Sequence, residues 1–316
     1  MIAIEEIRAA RERIAGAAVR TPLVRLHVED APGEIWCKLE TLQPVNSFKI
    51  RGAANCVRAA DPGLVRGGLV TASAGNAAQG VAWIARELGV SATIAVPEHA
   101  PGAKLEAIAR LGGTVLKLPY ADWWQAIVTS RVEGVEGFFV HPVADPAVMA
   151  GNGTIGLELL EDLPDVDAVV IPYGGGGLTV GIGSALRALR PQTRVYTVEP
   201  ETAAAVVAAR AAGEPTAVEY VPSWVDGSGS RGVLSEMWPR VAPLIDDALV
   251  ATLEETAGAV RLIAERLSVI AEGAGALAVA AALAGRAGGG KIVAIVSGGN
   301  IDFAILALIL RGESPT

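Results

Sequence analysis

Short, unbroken apolar runs recur along the chain at residues 68–73, 92–96, 168–172, 195–198 and 292–296. A run of that length without alternation suits a strand buried on both faces, as in a parallel sheet. Longer stretches between them, such as 77–88 and 178–189, read as helices. Strands alternating with helices in this way predict an α/β fold of open, mostly parallel sheets with helices on both faces. No low-complexity linker and no internal repeat interrupts the pattern. Any division into lobes is therefore expected to be made by crossing segments rather than by a floppy hinge.

Ligands in such sheets sit beyond the carboxyl ends of the strands, where glycine-rich loops turn into helices. Three segments have that form: Thr71-Ala72-Ser73-Ala74-Gly75-Asn76, Tyr173-Gly174-Gly175-Gly176-Gly177 and Ser297-Gly298-Gly299-Asn300. Each follows an apolar strand, and the first two open a helix. Four successive glycines leave no Cβ in the way, so backbone N–H groups can converge on an anion. A helix N-terminus adds partial positive charge, worth about 0.3–1 kcal/mol at an exposed site. The run at 174–177 is thus either a phosphate cup or a flexible loop, and its tight position between strand and helix favours the cup. It lacks the Gly-Lys-Ser/Thr of a P-loop and the spacing of a dinucleotide fingerprint.

Lys49 lies in Asn46-Ser47-Phe48-Lys49-Ile50-Arg51-Gly52. Most lysines are solvated surface charges. Here Phe48 and Ile50 flank the lysine with apolar bulk, and Ser47 is placed to cap a helix. A lysine held among apolar groups has a depressed pKa and can act as a nucleophilic amine.

Composition narrows the classes without choosing among them. The 316 residues are long enough for two core-bearing lobes or one large α/β domain. A net charge of −8 argues against nucleic acid as a partner. The apolar stretches are too short to span a membrane, and the charged N-terminus shows no secretory pattern. Cys37 and Cys56 form neither a metal-type spacing nor a disulfide framework. The expectation is a cytoplasmic protein.

Taken together, the motifs Ser47-Phe48-Lys49-Ile50-Arg51-Gly52-Ala53, Ser73-Ala74-Gly75-Asn76, Gly151-Asn152-Gly153-Thr154, the four glycines, Val198-Glu199-Pro200 and Ser297-Gly298-Gly299-Asn300 carry a resemblance. From about residue 7 to 303 the chain resembles the threonine dehydratase and serine racemase group of pyridoxal 5'-phosphate (PLP) enzymes, the tryptophan-synthase-β-like fold type II. The resemblance implies a two-lobed molecule: residues 1–66 with 145–316 as the larger, cofactor-binding domain, and 67–144 as a smaller, mobile domain that clamps the substrate. It implies that Lys49 bonds the cofactor as a Schiff base and later acts as general base. Gly174, Gly175, Gly176 and Gly177 would cup the phosphate, Asn76 would meet the ring oxygen, and Ser297 would meet the ring nitrogen. Ser73, Ala74, Gly75, Asn76 and Ala77 would hold the substrate carboxylate, with Trp124 and Ser230 also in the substrate pocket. A hydroxyl such as that of Ser297 leaves the ring nitrogen largely neutral, which suits prompt loss of a β-substituent better than transamination.

The sequence departs from the group's pattern at three places. Ala74 stands where the racemases carry a serine that acts on the second face, which disfavours racemisation. Ala77 stands where histidine is usual, enlarging the pocket, and Trp124 falls near an arginine of the racemases. Those two changes point towards a bulkier β-hydroxy amino acid such as 3-phenylserine. Glu199 and the carbonyl of Ala203 match part of a divalent-cation site, which Ala205 weakens by replacing an aspartate. The expected reaction is dehydration and deamination of a β-hydroxy amino acid such as threonine or serine, giving a 2-oxo acid and ammonia. The alternatives are a β-replacement synthase of the same fold, which typically carries Thr-Ser-Gly-Asn, and an amino-acid racemase. A homodimer and no regulatory domain after Ser297 complete the expectation.

Overall fold

The structure is a computed structural model that describes residues 1–315. Among the described residues, ten strands form two sheets. Strands β1 (Leu23–Leu26), β2 (Glu34–Leu39), β3 (Leu69–Ala72), β4 (Ala92–Pro97), β5 (Thr114–Leu118), β6 (Phe138–Phe139), β7 (Ala168–Pro172), β8 (Arg194–Pro200), β9 (Asp247–Ala251) and β10 (Lys291–Val296) follow in chain order. The larger sheet has the order β1-β2-β10-β7-β8-β9, and the smaller β5-β4-β3-β6. Every pairing is parallel except that of β1 with β2 at one edge.

The central strands of the larger sheet are apolar throughout because both of their faces are buried. Ala168 and Val170 of β7, with Ile292, Ala294 and Val296 of β10, enter one core, shared with helices Leu253–Leu267 and Gly273–Leu283. The alternate residues Val169, Ile171, Val293 and Ile295 enter a second core on the opposite face, shared with helices Pro146–Asp162 and Gly177–Leu189. All nine side chains are fully buried. Each Val or Ile among them contributes about 1.5–3 kcal/mol by leaving water. The smaller sheet is built likewise, with Leu69 and Ile94 on one face and Val70 and Ala95 on the other.

Helix Lys49–Ala59 joins the two sheets. Its Ile50, Ala53, Ala54 and Val57 pack in the core of the smaller sheet beside helix Asn76–Leu88. Its other side lies against helix Pro146–Asp162, so closely that a Cβ on Gly151 would fall 2.4 Å from the Arg51 carbonyl oxygen. A buried ion network locks the same end of the helix. Arg51 meets Glu40 at 2.8 Å and Glu158 at 2.6 Å, and Lys38 meets Glu158 at 2.6 Å. Ser47 does not cap this helix. Phe48 precedes it in helical backbone geometry, and the Ser47 Oγ is buried without a partner among the described residues. Ser47 instead forms an isolated β-bridge with Gly298, which takes it out of reach of the cap position. No described helix is long and apolar enough to cross a membrane.

Candidate active site

The carboxyl ends of β3, β7 and β10 open on one cavity of about 650 Å³ between the two sheets. Lys49, Ser73, Asn76, the four glycines and Ser297 all line it.

Lys49 begins its helix and directs its amine into the cavity, where Nζ donates to the Pro142 carbonyl oxygen at 3.1 Å. The Phe48 ring lies beneath Nζ, 5.1 Å away at its centroid. Burial pulls the Lys49 ammonium down to about 8, against the opposing influence of the Glu272 carboxylate. Loss of hydration disfavours the charged form, so a neutral, nucleophilic amine is available near neutral pH.

The glycine loop is wedged between neighbours that leave no space for side chains. A Cβ on Gly175 would fall 2.5 Å from Val143, and one on Gly177 would fall 2.8 Å from the Val143 carbonyl oxygen. Gly176 has φ of +93°, a left-handed conformation that a side chain would strain. Among the described residues the N–H groups at 174–177 meet no protein acceptor. Four orphaned donors at the start of a 13-residue helix have the geometry that suits an anion such as a phosphate.

Ser297 directly follows β10 and is buried. Its carbonyl oxygen accepts from Phe48 N–H at 3.0 Å, which ties the strand end to the residue before Lys49. Its hydroxyl makes no hydrogen bond among the described side chains and lines the cavity. A lysine amine, an anion cup and a neutral hydroxyl around one cavity fit the aldehyde, phosphate and ring nitrogen of PLP. Asn76 opens helix Asn76–Leu88 and is held from both sides: Nδ2 donates to Glu272 at 2.7 Å, and Oδ1 accepts from Asn300 at 2.7 Å.

The sequence profile described as pyridoxal-phosphate dependent enzyme matches residues 14–298. The chain belongs to this family of pyridoxal-phosphate-dependent enzymes. It is 39% identical over 316 residues to the L-threonine ammonia-lyase of Thermotoga maritima, covering 98% of this chain and 79% of that one. It is 36% identical to the catabolic L-threonine dehydratase TdcB of Escherichia coli, over 98% of this chain and 96% of the other. The structure of maize serine racemase superposes with a TM-score of 0.88 at 33% identity, covering 98% and 97% of the two chains. The two-lobed α/β architecture is that of the fold type II members of this PLP-dependent family.

Within that family the remaining expected residues divide. Ala74, Gly75 and Ala77 line the cavity beside Ser73 and Asn76, at the start of helix Asn76–Leu88. Trp124 does not line it. Its side chain points outward and is 42% exposed, whereas Trp123, one helical step away, faces the cavity. Ser230 also lies outside the lining and donates to the Gly232 carbonyl oxygen at 2.9 Å. Asp226 and Gly227 of the same loop line the cavity in its place.

Glu199 is buried at the end of β8, and its two oxygens accept from Ala205 N–H at 3.2 Å and Val206 N–H at 2.7 Å. Burial pushes its carboxyl up to about 8. One carboxylate already spent on capping helix Ala205–Ala212 does not fit a divalent cation, which needs several free oxygen donors.

Sequence reasoning missed Glu272. It lines the cavity, is nearly fully buried, and burial followed by the nearby Asp226 charge raises its carboxyl to about 8. The available signal was a lone acid opening the run Gly273-Ala274-Gly275-Ala276, where nothing but small residues follows.

Proposed function

We propose that this PLP-dependent enzyme eliminates water from a β-hydroxy amino acid and releases a 2-oxo acid and ammonia. The observation that carries the reading is the pairing of Lys49 and Ala74 on one cavity: an amine with a depressed pKa, and a methyl where a second proton donor would be needed for racemisation.

The residues divide the work. The first turn of helix Asn76–Leu88, with Ser73 and Gly75, binds the substrate carboxylate. The glycine loop would hold the cofactor phosphate, Lys49 would hold its aldehyde carbon, and Ser297 would offer a hydroxyl to its ring nitrogen. The bound cofactor supplies a conjugated acceptor for the electron pair left at Cα. Lys49 Nζ would take the Cα proton as general base, the β-hydroxyl would take up a proton and leave as water, and hydrolysis of the released enamine would give the 2-oxo acid and ammonia. The Pro142 carbonyl oxygen, a neutral acceptor, holds Nζ in place without fixing its proton there. The glutamate–asparagine–asparagine chain of Glu272, Asn76 and Asn300 keeps the Asn76 amide in one orientation. Similarity to named threonine ammonia-lyases supports elimination over β-replacement.

The test is a panel of L- and D-β-hydroxy amino acids, with 2-oxo acid measured by hydrazone formation and the residual substrate analysed by chiral chromatography. Production of 2-oxo acid without the opposite enantiomer is expected. Enantiomer formed faster than 2-oxo acid would establish a racemase instead.

A further inference from the structure

The proposed elimination leaves the side chain of the substrate open, and the wall opposite the polar groups bears on it. Helix Tyr120–Thr129 presents Tyr120, Trp123 and Ile127 to the cavity, a stripe at helical spacing. Trp123 is set firmly. It packs on the core residues of the smaller sheet and meets the Tyr120 ring at 5.6 Å. Its Nε1 has no exposed surface and no partner among the described residues, so the part of the ring that meets open space is hydrocarbon. Ala77 lines the same cavity and is buried, and its methyl occupies less of the cavity wall than a larger side chain would. The charged groups near the mouth do not offset this apolar wall. Lys104, the lining cation other than Lys49, is paired across the cleft with Asp226. A second carboxylate on the substrate would meet a lysine already paired and the carboxylate of Asp226.

We infer that Trp123, with Tyr120, Ile127 and the space at Ala77, forms a side-chain subsite for a bulky apolar, preferably aromatic, substituent, and that acidic side chains are excluded. The inference rests on the reading of the chain as an amino-acid lyase. It assigns specificity to Trp123 rather than to Trp124, which faces away.

Binding can be separated from turnover with amino acids that lack a leaving group. L-Phenylalanine, L-alanine and L-aspartate would be titrated into the holoenzyme, with the absorbance of the bound cofactor as readout. Phenylalanine is expected to bind at least about tenfold more tightly than alanine, since one methylene alone discriminates by roughly tenfold or more, and aspartate more weakly than either. In turnover, 3-phenylserine should exceed threonine in kcat/KM. Trp123→Ala should cut that ratio at least about tenfold. Because Trp123 also supports the smaller core, Ala77→Leu serves as the second variant: it fills the space from the other side and should lower the same ratio. Trp124→Ala should leave it unchanged. Equal affinity for alanine and phenylalanine, or a ratio unmoved by both Trp123→Ala and Ala77→Leu, would overturn the subsite. Tight phenylalanine binding with no 2-oxo acid from any β-hydroxy amino acid would instead overturn the lyase reading and leave the subsite standing.

Discussion

Arg51 Nη1 lies 2.6 Å from Glu158 Oε1 in the protein interior, two residues along the helix from Lys49. The same guanidinium meets both oxygens of Glu40 at 2.8 Å, so two carboxylates from different segments converge on one cation. Burying these charges costs solvation, which the network offsets only while every partner is present. Arg51→Met would strand Glu40 without its guanidinium partner and leave Glu158 with Lys38 alone. A loss of about 3–5 kcal/mol in urea unfolding is expected, together with weaker cofactor binding because the start of the Lys49 helix loosens. A change below 1 kcal/mol, on the order of a surface pair, would show that the network does not anchor the helix.

Lys49 supports a prediction about pH. Its amine is pulled from the ordinary lysine value down to about 8 by burial. The neutral amine is the nucleophile, so attachment of PLP to the cofactor-free protein should speed up as pH rises and level off above about 8. An unperturbed lysine would keep accelerating towards its ordinary pKa near 10.4. Stopped-flow absorbance across this range reads the inflection directly. Lys49→Ala should abolish both borohydride-trappable cofactor and turnover, and covalent cofactor retained at another lysine would refute the assignment.

The central strands were legible because burial on both faces leaves an unbroken apolar run, as in Ala168–Pro172. The glycine cup was legible because nothing but a close backbone approach calls for four glycines there. Trp124 was misplaced for a reason of phase. Adjacent residues on a helix differ by about 100°, so a tryptophan pair cannot be oriented until the face that packs on the sheet is known. Ser230 lies in an irregular stretch with no period to orient it. Ser47 has the side chain of a helix cap but pairs with Gly298, some 250 residues away in sequence, a contact no local pattern announces.

Glu199 should impose a pH dependence on stability. Its folded carboxyl is raised to about 8 by burial, above the ordinary glutamate value of about 4.3. The folded state therefore holds a proton that the unfolded chain releases, and stability falls as pH rises from the ordinary carboxylate range through about 8. Glu199→Gln removes that proton but keeps an oxygen for the Val206 N–H. The variant should gain stability relative to the parent between pH 5 and 8 in thermal melts. Millimolar Mg²⁺ or Ca²⁺ should leave both melting temperatures unchanged. A saturable cation-dependent rise, lost in Glu199→Gln, would show that the carboxylate leaves the helix to bind metal.

The last prediction concerns His141, which touches neither Lys49 nor the glycine loop yet supports both. Its Nδ1 accepts from Val143 N–H at 3.0 Å and from Ala144 N–H at 2.7 Å, folding residues 141–144 into a tight turn. That turn presents the Pro142 carbonyl oxygen to Lys49 Nζ and presses Val143 against Gly175 and Gly177. Burial lowers the imidazole below its usual value, which keeps Nδ1 free to accept. In His141→Leu the two N–H groups lose their acceptor, at a cost of about 1–3 kcal/mol for each donor left buried. Cofactor affinity should fall by at least about tenfold, one step of 1.4 kcal/mol, with a matching drop in the borohydride-trapped fraction. His141→Asn supplies an oxygen that can accept from the N–H two residues on, and should recover most of the affinity. The sign of the pH effect follows from the depressed pKa. Stability is fully present above the ordinary imidazole range and declines as pH falls and the unfolded chain takes up a proton that the folded turn refuses. Cofactor release from the parent should therefore accelerate at acid pH, whereas His141→Asn should release it at a rate less sensitive to pH over the same interval. Equal affinity in the Leu and Asn variants would mean that the imidazole fills space rather than holding the turn.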